Sequence, residues 1–186
     1  MMNSEKTLYT LIIFSENLPG LLTHVASVFT RRQVNIESLN VSASSIEGIH
    51  RYTITCYAEE ELMEKITKQI ERIIDVVQAN YYTSDDIYTM ESALFKISTP
   101  VLLENSQISR EIRLHNGKIV EVNPTYSIVT MEGLTEDIRS LFLHLNSMDC
   151  MLQYVRSGSI AITKSHREHL TEFLEQREAE SKENKK

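Results

Sequence analysis

The sequence predicts an α+β chain built from two ferredoxin-like βαββαβ domains in tandem. Apolar residues alternate with period two in short runs and recur at helical spacing between those runs, and the order strand, helix, strand, strand, helix, strand occurs twice. A polar break, Thr83-Ser84-Asp85-Asp86, separates the two copies. Composition agrees: 41% hydrophobic and 24% charged residues is the balance of an ordinary globular protein, and 186 residues allow one domain or two small ones. The expected boundaries are a first domain over 1–82, a linker over 83–90, a second domain over 91–164, and a short helix with a polar tail over 165–186.

In the first domain the opening strand is the apolar run Leu8 to Phe14. Pro19 suits the first position of the helix that follows, where its missing N–H goes unused. That helix is expected to reach Gln33 with Leu21, Leu22, Val25, Val28 and Phe29 on one face. Leu39, Val41 and Ala43 alternate with Ser38, Asn40 and Ser42 in a second strand, and Ser44 to Gly48 connects it as a hairpin to a third strand carrying Tyr52, Ile54 and Cys56. Glu59, Glu60 and Glu61 favour the positive end of a second helix, whose stripe is Leu62, Ile66, Ile70, Ile73 and Ile74. Val76 to Tyr82 closes the unit as a fourth strand. One face of such a sheet carries both helices, so the other needs a second sheet or a partner chain to cover it, and self-association is expected.

The second domain repeats the pattern with a strand over Ala93 to Ser98 and a helix carrying Val101, Asn105, Ile108 and Ile112. Asn116-Gly117 ends that helix with residues suited to left-handed dihedrals. Strands over Ile119 to Val122 and Tyr126 to Met131 are joined through Asn123-Pro124, and Thr135 is placed to cap a helix with Ile138, Leu141, Phe142 and Leu145. Met148 to Val155 and Ser159 to Thr163 supply the last strand segments, broken at Ser157-Gly158. Ser165-His166-Arg167-Glu168 has capping-box spacing and opens a C-terminal helix with Leu170, Phe173 and Leu174 on one side.

The stretch with chemical content is Glu16-Asn17-Leu18-Pro19-Gly20-Leu21-Leu22. Leu18 caps poorly, so the N–H groups of Gly20, Leu21 and Leu22 point from the helix start with partial positive charge, and Gly20 presents no side chain to an approaching group. Such a helix start holds a carboxylate. The plainer alternative is an Asx turn at Asn17 with Pro19 and Gly20 as punctuation. Favouring a ligand is a second carboxamide, Asn35, beside Ile36 in the loop after the helix, which a compact fold could bring near Asn17. The Asn-x-Pro-Gly feature has no counterpart in the second domain.

Other functions find little support. A net charge of −7 argues against nucleic acid, since Arg31-Arg32 is the one adjacent basic pair of note before the tail. No apolar run reaches a membrane span and the N-terminus lacks a signal pattern, so a cytoplasmic protein is expected. Cys56 and Cys150 sit in apolar strand patterns as expected free thiols. Neither a glycine-rich phosphate loop nor a Gly-x-Ser-x-Gly elbow occurs, and His166 with His169, spaced for a metal on a helix, reads as a surface pair. No catalytic residue and no metal site are expected. Arg156 beside the Ser157-Gly158 break reads as an ion-pairing or interface residue rather than a phosphate contact.

The stretch Glu16 to Leu22, followed by Arg31-Arg32-Gln33-Val34-Asn35-Ile36-Glu37-Ser38-Leu39, closely resembles the ACT domain of acetolactate synthase regulatory subunits. More loosely, Arg110-Glu111-Ile112, Lys118 to Val122 and Val155 to Gly158 extend that resemblance over about residues 5–162. It implies an ACT domain followed by an ACT-like domain in a chain that is not itself an enzyme. Such a chain binds and activates the catalytic acetolactate synthase subunit, forms a homodimer or larger assembly through the ACT sheet, and confers feedback inhibition by valine. Thiamine diphosphate, magnesium and FAD would belong to the catalytic partner, with no cofactor on this chain. Valine would be bound by Asn17, Gly20, Leu21, Leu22, Asn35 and Ile36. The alternative is a free-standing ACT-repeat sensor of an amino acid, controlling another enzyme or a transcription factor.

Overall fold

A computed structural model describes residues 6–165, so the expected C-terminal helix and the His166–His169 pair lie outside the described residues. The first expected domain forms a four-stranded sheet and the second a five-stranded one, each with helices packed against it. Among the described residues, one compact unit takes the chain up to Tyr88 and again from Ala161, and the other is Thr89–Ile160. The polar turn is confined to residues 83–86, with Asp86 accepting from the Thr83 amide and hydroxyl, and a strand already starts at Ile87 within the expected linker. None of the described helices is long and apolar enough to cross a membrane.

The first unit contains β1 (Thr7–Glu16), α1 (Leu21–Arg31), β2 (Ser38–Ala43), β3 (Ile49–Ala58), α2 (Glu60–Glu71) and β4 (Val76–Tyr82), with sheet order β2-β3-β1-β4. Period-two alternation along β1 sends Tyr9, Leu11 and Ile13 into the helix-facing core, where they meet Val25, Phe29, Ile66 and Ile70. Three details depart from the sequence expectation. Helix α1 starts at Leu21 rather than Pro19, because Gly20 adopts the left-handed region with φ 87° and serves as the N-cap. Leu22 is 42% exposed and does not join the buried face. Ile74 is 97% exposed, because α2 stops at Glu71 and the turn made by Ile73 N–H to the Ile70 carbonyl and Val76 N–H to the Ile73 carbonyl throws it outward.

The face of this sheet without helices is partly closed by the chain itself, where the sequence called for a second sheet or a partner. Ile12 and Phe14 are buried against Ile87 and Ala161, with Ile46, Ile49 and Tyr82 packed around them. Arg51 stands over the Phe14 ring at 5.5 Å and donates from Nη2 to the Ala161 carbonyl at 2.6 Å. A segment from the far end of the sequence thus seals part of the first sheet. Sequence periodicity shows that Ile12 and Phe14 need cover, but it carries no information about which distant segment supplies it.

The second unit draws on β5 (Ile87–Ser98), α3 (Thr99–Glu104), α4 (Ser106–Leu114), β6 (Lys118–Val122), β7 (Tyr126–Gly133), α5 (Thr135–Ser147) and β8 (Met151–Arg156), with order β6-β7-β5-β8; β9 (Ile160–Thr163) pairs with β5. Phe95, Ile97, Ile108, Ile112, Val129, Ile138, Leu141 and Leu145 form its core. The single helix expected after β5 is two, because Asn105 turns extended and its side chain accepts from the Gln107 amide, capping α4 instead of continuing α3. At the end of α4 Asn116 has the expected left-handed φ, 57°. Thr135 does not cap α5; Leu134 holds that position, and the Thr135 hydroxyl donates to Glu91 Oε1 at 2.9 Å. Glu91 is buried, also accepts from Ser159 at 2.8 Å, and lies 3.4 Å from Arg156 Nη1. Arg156 is therefore an ion-pairing residue.

Candidate functional site

The strand-to-helix loop after β1 is held at three backbone points. Glu16 N–H donates to the Asp75 carbonyl at 2.9 Å, Asn17 N–H to the Gly48 carbonyl at 3.1 Å, and Leu18 N–H to the Glu16 carbonyl at 3.1 Å. The left-handed Gly20 then turns the chain into α1, and its carbonyl accepts from Thr23 and His24 at 3.0 and 3.2 Å. A side chain at Gly20 would meet no atom within 4 Å, so the turn is open toward solvent. No side chain caps the helix and no acidic residue sits in its first turn. The positive end of α1 is therefore uncompensated.

Of the three amides expected at this helix start, Leu21 N–H makes a long bond of 3.5 Å to the Leu18 carbonyl, while Gly20 and Leu22 N–H have no protein acceptor among the described residues. The Asn17 carboxamide is exposed and makes no Asx turn. Leu18 and Leu22, 45% and 42% exposed, flank the opening with apolar surface. The Leu21 side chain lies in the core. Amide donors, a carboxamide and apolar flanks suit the carboxylate and aliphatic parts of a small amino acid.

The second carboxamide is elsewhere. Antiparallel pairing sets Thr7 against Ala58 and Glu16 against Ile49, so the Asn17 loop lies at the Gly48 hairpin end of the sheet. Asn35 precedes Glu37, whose N–H donates to the Thr55 carbonyl at the opposite end. Ten residues of β1 separate the two ends, roughly 30 Å at the usual rise per residue. Within one chain Asn17 and Asn35 are not brought together, in contrast to the expectation from sequence. Asn35 borders its own polar cleft of about 420 Å³, with Arg32, Gln33, Glu37 and Glu59 on its walls. Ile36 is partly buried and packs on the core. The Gly48 carbonyl that fixes the Asn17 loop was not singled out from sequence; its one signal was an isolated glycine in a hairpin, here at φ 79°.

A βαββαβ unit with a bare, glycine-opened helix start, followed by a second unit of the same strand order, is the architecture of an ACT-type regulatory protein. Residues 11–78 match the family model described as AHAS small subunit-like ACT domain, and residues 90–165 match that of the small subunit of acetolactate synthase. The chain is 31% identical over 167 residues to a probable acetolactate synthase small subunit from Methanothermobacter thermautotrophicus, covering 90% of this chain and 99% of that one. It is 30% identical over 159 residues to the acetolactate synthase small subunit of Mycobacterium leprae, covering 86% and 93%. The crystal structure of the Thermotoga maritima acetolactate synthase small subunit superimposes with a TM-score of 0.77 at 23% identity, over 86% of this chain and 99% of that one, and shares its fold. The chain belongs to the acetolactate synthase small-subunit family.

Proposed function

We propose that this chain binds the catalytic subunit of acetolactate synthase, raises its activity and makes it sensitive to valine. The reading rests chiefly on the match to acetolactate synthase small subunits along both units. Thiamine diphosphate, magnesium and FAD would then be held by the catalytic partner. The bare helix start at Gly20 supports an amino-acid effector on this chain, its carboxylate on the amides of Gly20 and Leu22 and its aliphatic part against Leu18 and Leu22.

A second copy reconciles the separated carboxamides. β2 is an edge strand, running from the Asn35 end of the sheet to the Gly48 hairpin end. Antiparallel pairing of β2 with its copy about a two-fold axis sets the start of one strand beside the end of the other. Asn35 of one chain then approaches Asn17 of its partner, and the dimer carries two such sites.

Acetolactate formation by the catalytic subunit, measured with and without this chain across a valine titration, tests the reading. Stimulation that valine removes is expected; equal activity with and without the chain overturns it. Asn17→Ala and Asn35→Ala should each abolish the response to valine. Mixing the two variants in equal amounts should restore about a quarter of it, because half of the dimers are then mixed and one of the two sites in each mixed dimer keeps both carboxamides. Absence of restoration overturns the shared site. Ligand at ~100 times its dissociation constant should stabilise the wild type by about 2.7 kcal/mol, a melting shift of several degrees. Gly20→Asp is a poor probe of this site because its left-handed backbone would be strained by any side chain.

A further inference from the structure

We infer that Glu111, His115 and His144 of the second unit form a binding site for a divalent transition-metal ion of the zinc class. None of the three belongs to the amino-acid site, and a metal site was not expected from sequence.

Helix α4 places Glu111 four residues before its C-cap, His115, so the two side chains emerge on one face. Helix α5 brings His144 to the same place, with the imidazole rings 5.3 Å apart between centroids. One ligand atom from each of the three residues lies within 4.8 Å of the other two. Zinc bonds to nitrogen and oxygen of about 2.1 Å put tetrahedral ligands about 3.4 Å apart. The cluster thus needs to close by up to about 1.4 Å, a change within reach of side-chain rotation at the exposed His144.

Both imidazoles have a backbone carbonyl beside Nδ1, and Nδ1 of His115 also lies 3.9 Å from Glu111 Oε2, so His115 has to turn Nε2 toward that carboxylate to share an ion with it. His115 Nδ1 lies 3.0 Å from the Glu111 carbonyl and His144 Nδ1 lies 2.9 Å from the Ser140 carbonyl. A backbone carbonyl at that distance favours the tautomer with hydrogen on Nδ1 and leaves the Nε2 lone pair available. His115 Nε2 faces the Ser140 hydroxyl at 3.2 Å, a rotatable group that can yield to an ion. The side chains of Glu111 and His115 are 23% and 18% exposed, so a bound ion would be partly sheltered, with water completing its shell from the His144 side. Two imidazoles and one carboxylate suit zinc, cobalt or nickel; magnesium and calcium favour oxygen-only shells.

Isothermal titration of the full chain with Zn²⁺ alone tests the site, in a His166→Ala/His169→Ala background that removes the competing C-terminal pair. One ion per chain is expected, with affinity at least about tenfold weaker in Glu111→Gln, His115→Ala and His144→Ala. Co²⁺ in place of Zn²⁺ should give a visible absorption band that each of those variants loses. Circular dichroism of each metal-free variant checks that it folds, and His144→Ala, at an exposed position, is the decisive one. Zn²⁺ binding unchanged by His144→Ala overturns the site, and so does absence of micromolar Zn²⁺ binding in the His166→Ala/His169→Ala background.

Discussion

The two units share a strand order and differ in how each finishes its sheet and starts its first helix. In the first, the chain's own Ile87 and Ala161 cover Ile12 and Phe14 on the face without helices. In the second, Leu94 and Val155 pair across β5 and β8 on the corresponding face, each 48% exposed beside a shallow cavity of about 270 Å³. The helix starts differ in the same spirit. After β1 a left-handed glycine leaves amides bare, whereas after β5 the turn is filled by Thr99, whose hydroxyl is 2.8 Å from that of Ser127. One fold can thus carry an open entry in one copy and a closed entry in the other, and a few loop residues make the difference.

The largest effect should come from charging the two open faces in turn. Ala161→Asp puts a carboxylate among Ile12, Phe14 and Ile87 and should destabilise by about 2–3 kcal/mol or more, read from the urea midpoint. Leu94→Asp on the second sheet should lower stability by less than about 1 kcal/mol, since that side chain is half in water already. Equal losses would mean that the second face is covered in solution.

Glycine replacements sharpen the contrast between entry and exit turns. Gly117→Ala would set a Cβ 3.0 Å from the Ile112 carbonyl oxygen and Cγ2, and overpacking of about 1–3 kcal/mol is expected. Gly20→Ala meets no atom, so its loss should be near 1 kcal/mol and arise from the left-handed backbone alone. Thermal melts of the two variants in parallel check the order.

The smallest effect concerns the thiols, one in each core. Burial pushes Cys56 up to about 11, and the nearby Glu37 adds to it; burial likewise raises Cys150. Between the unfolded thiol value and the raised folded one, the unfolded chain releases protons that the folded chain keeps. Stability carried by protonated thiols is therefore intact below about pH 8.5 and falls as pH rises toward 11. Cys56→Ser should flatten that alkaline decline in a series of urea melts from pH 8 to 10.5, and an unchanged slope would assign it to other groups.

Much of this protein was legible in its residues. Alternation and helical spacing placed both sheets and the buried stripes of α1, α2, α4 and α5, because those periods follow from backbone geometry that any chain must obey. The bare amides before α1 were also readable, since a capping side chain is a local matter. Local conformations set by one side chain were less so. The break at Asn105, the left-handed N-cap at Gly20 and the diversion of Thr135 to Glu91 each turned on a hydrogen bond or dihedral with a close competitor.

Only tertiary structure decided which distant residues meet. Sequence offered Asn17 and Asn35 as one site, and the antiparallel register of β1 with β3 put them at opposite ends of the sheet. It gave no hint that Ala161 returns to cover Ile12 and Phe14, or that His115 and His144 stand 5.3 Å apart. Such pairings depend on how elements pack, and packing is a property of whole surfaces that no short stretch of sequence encodes.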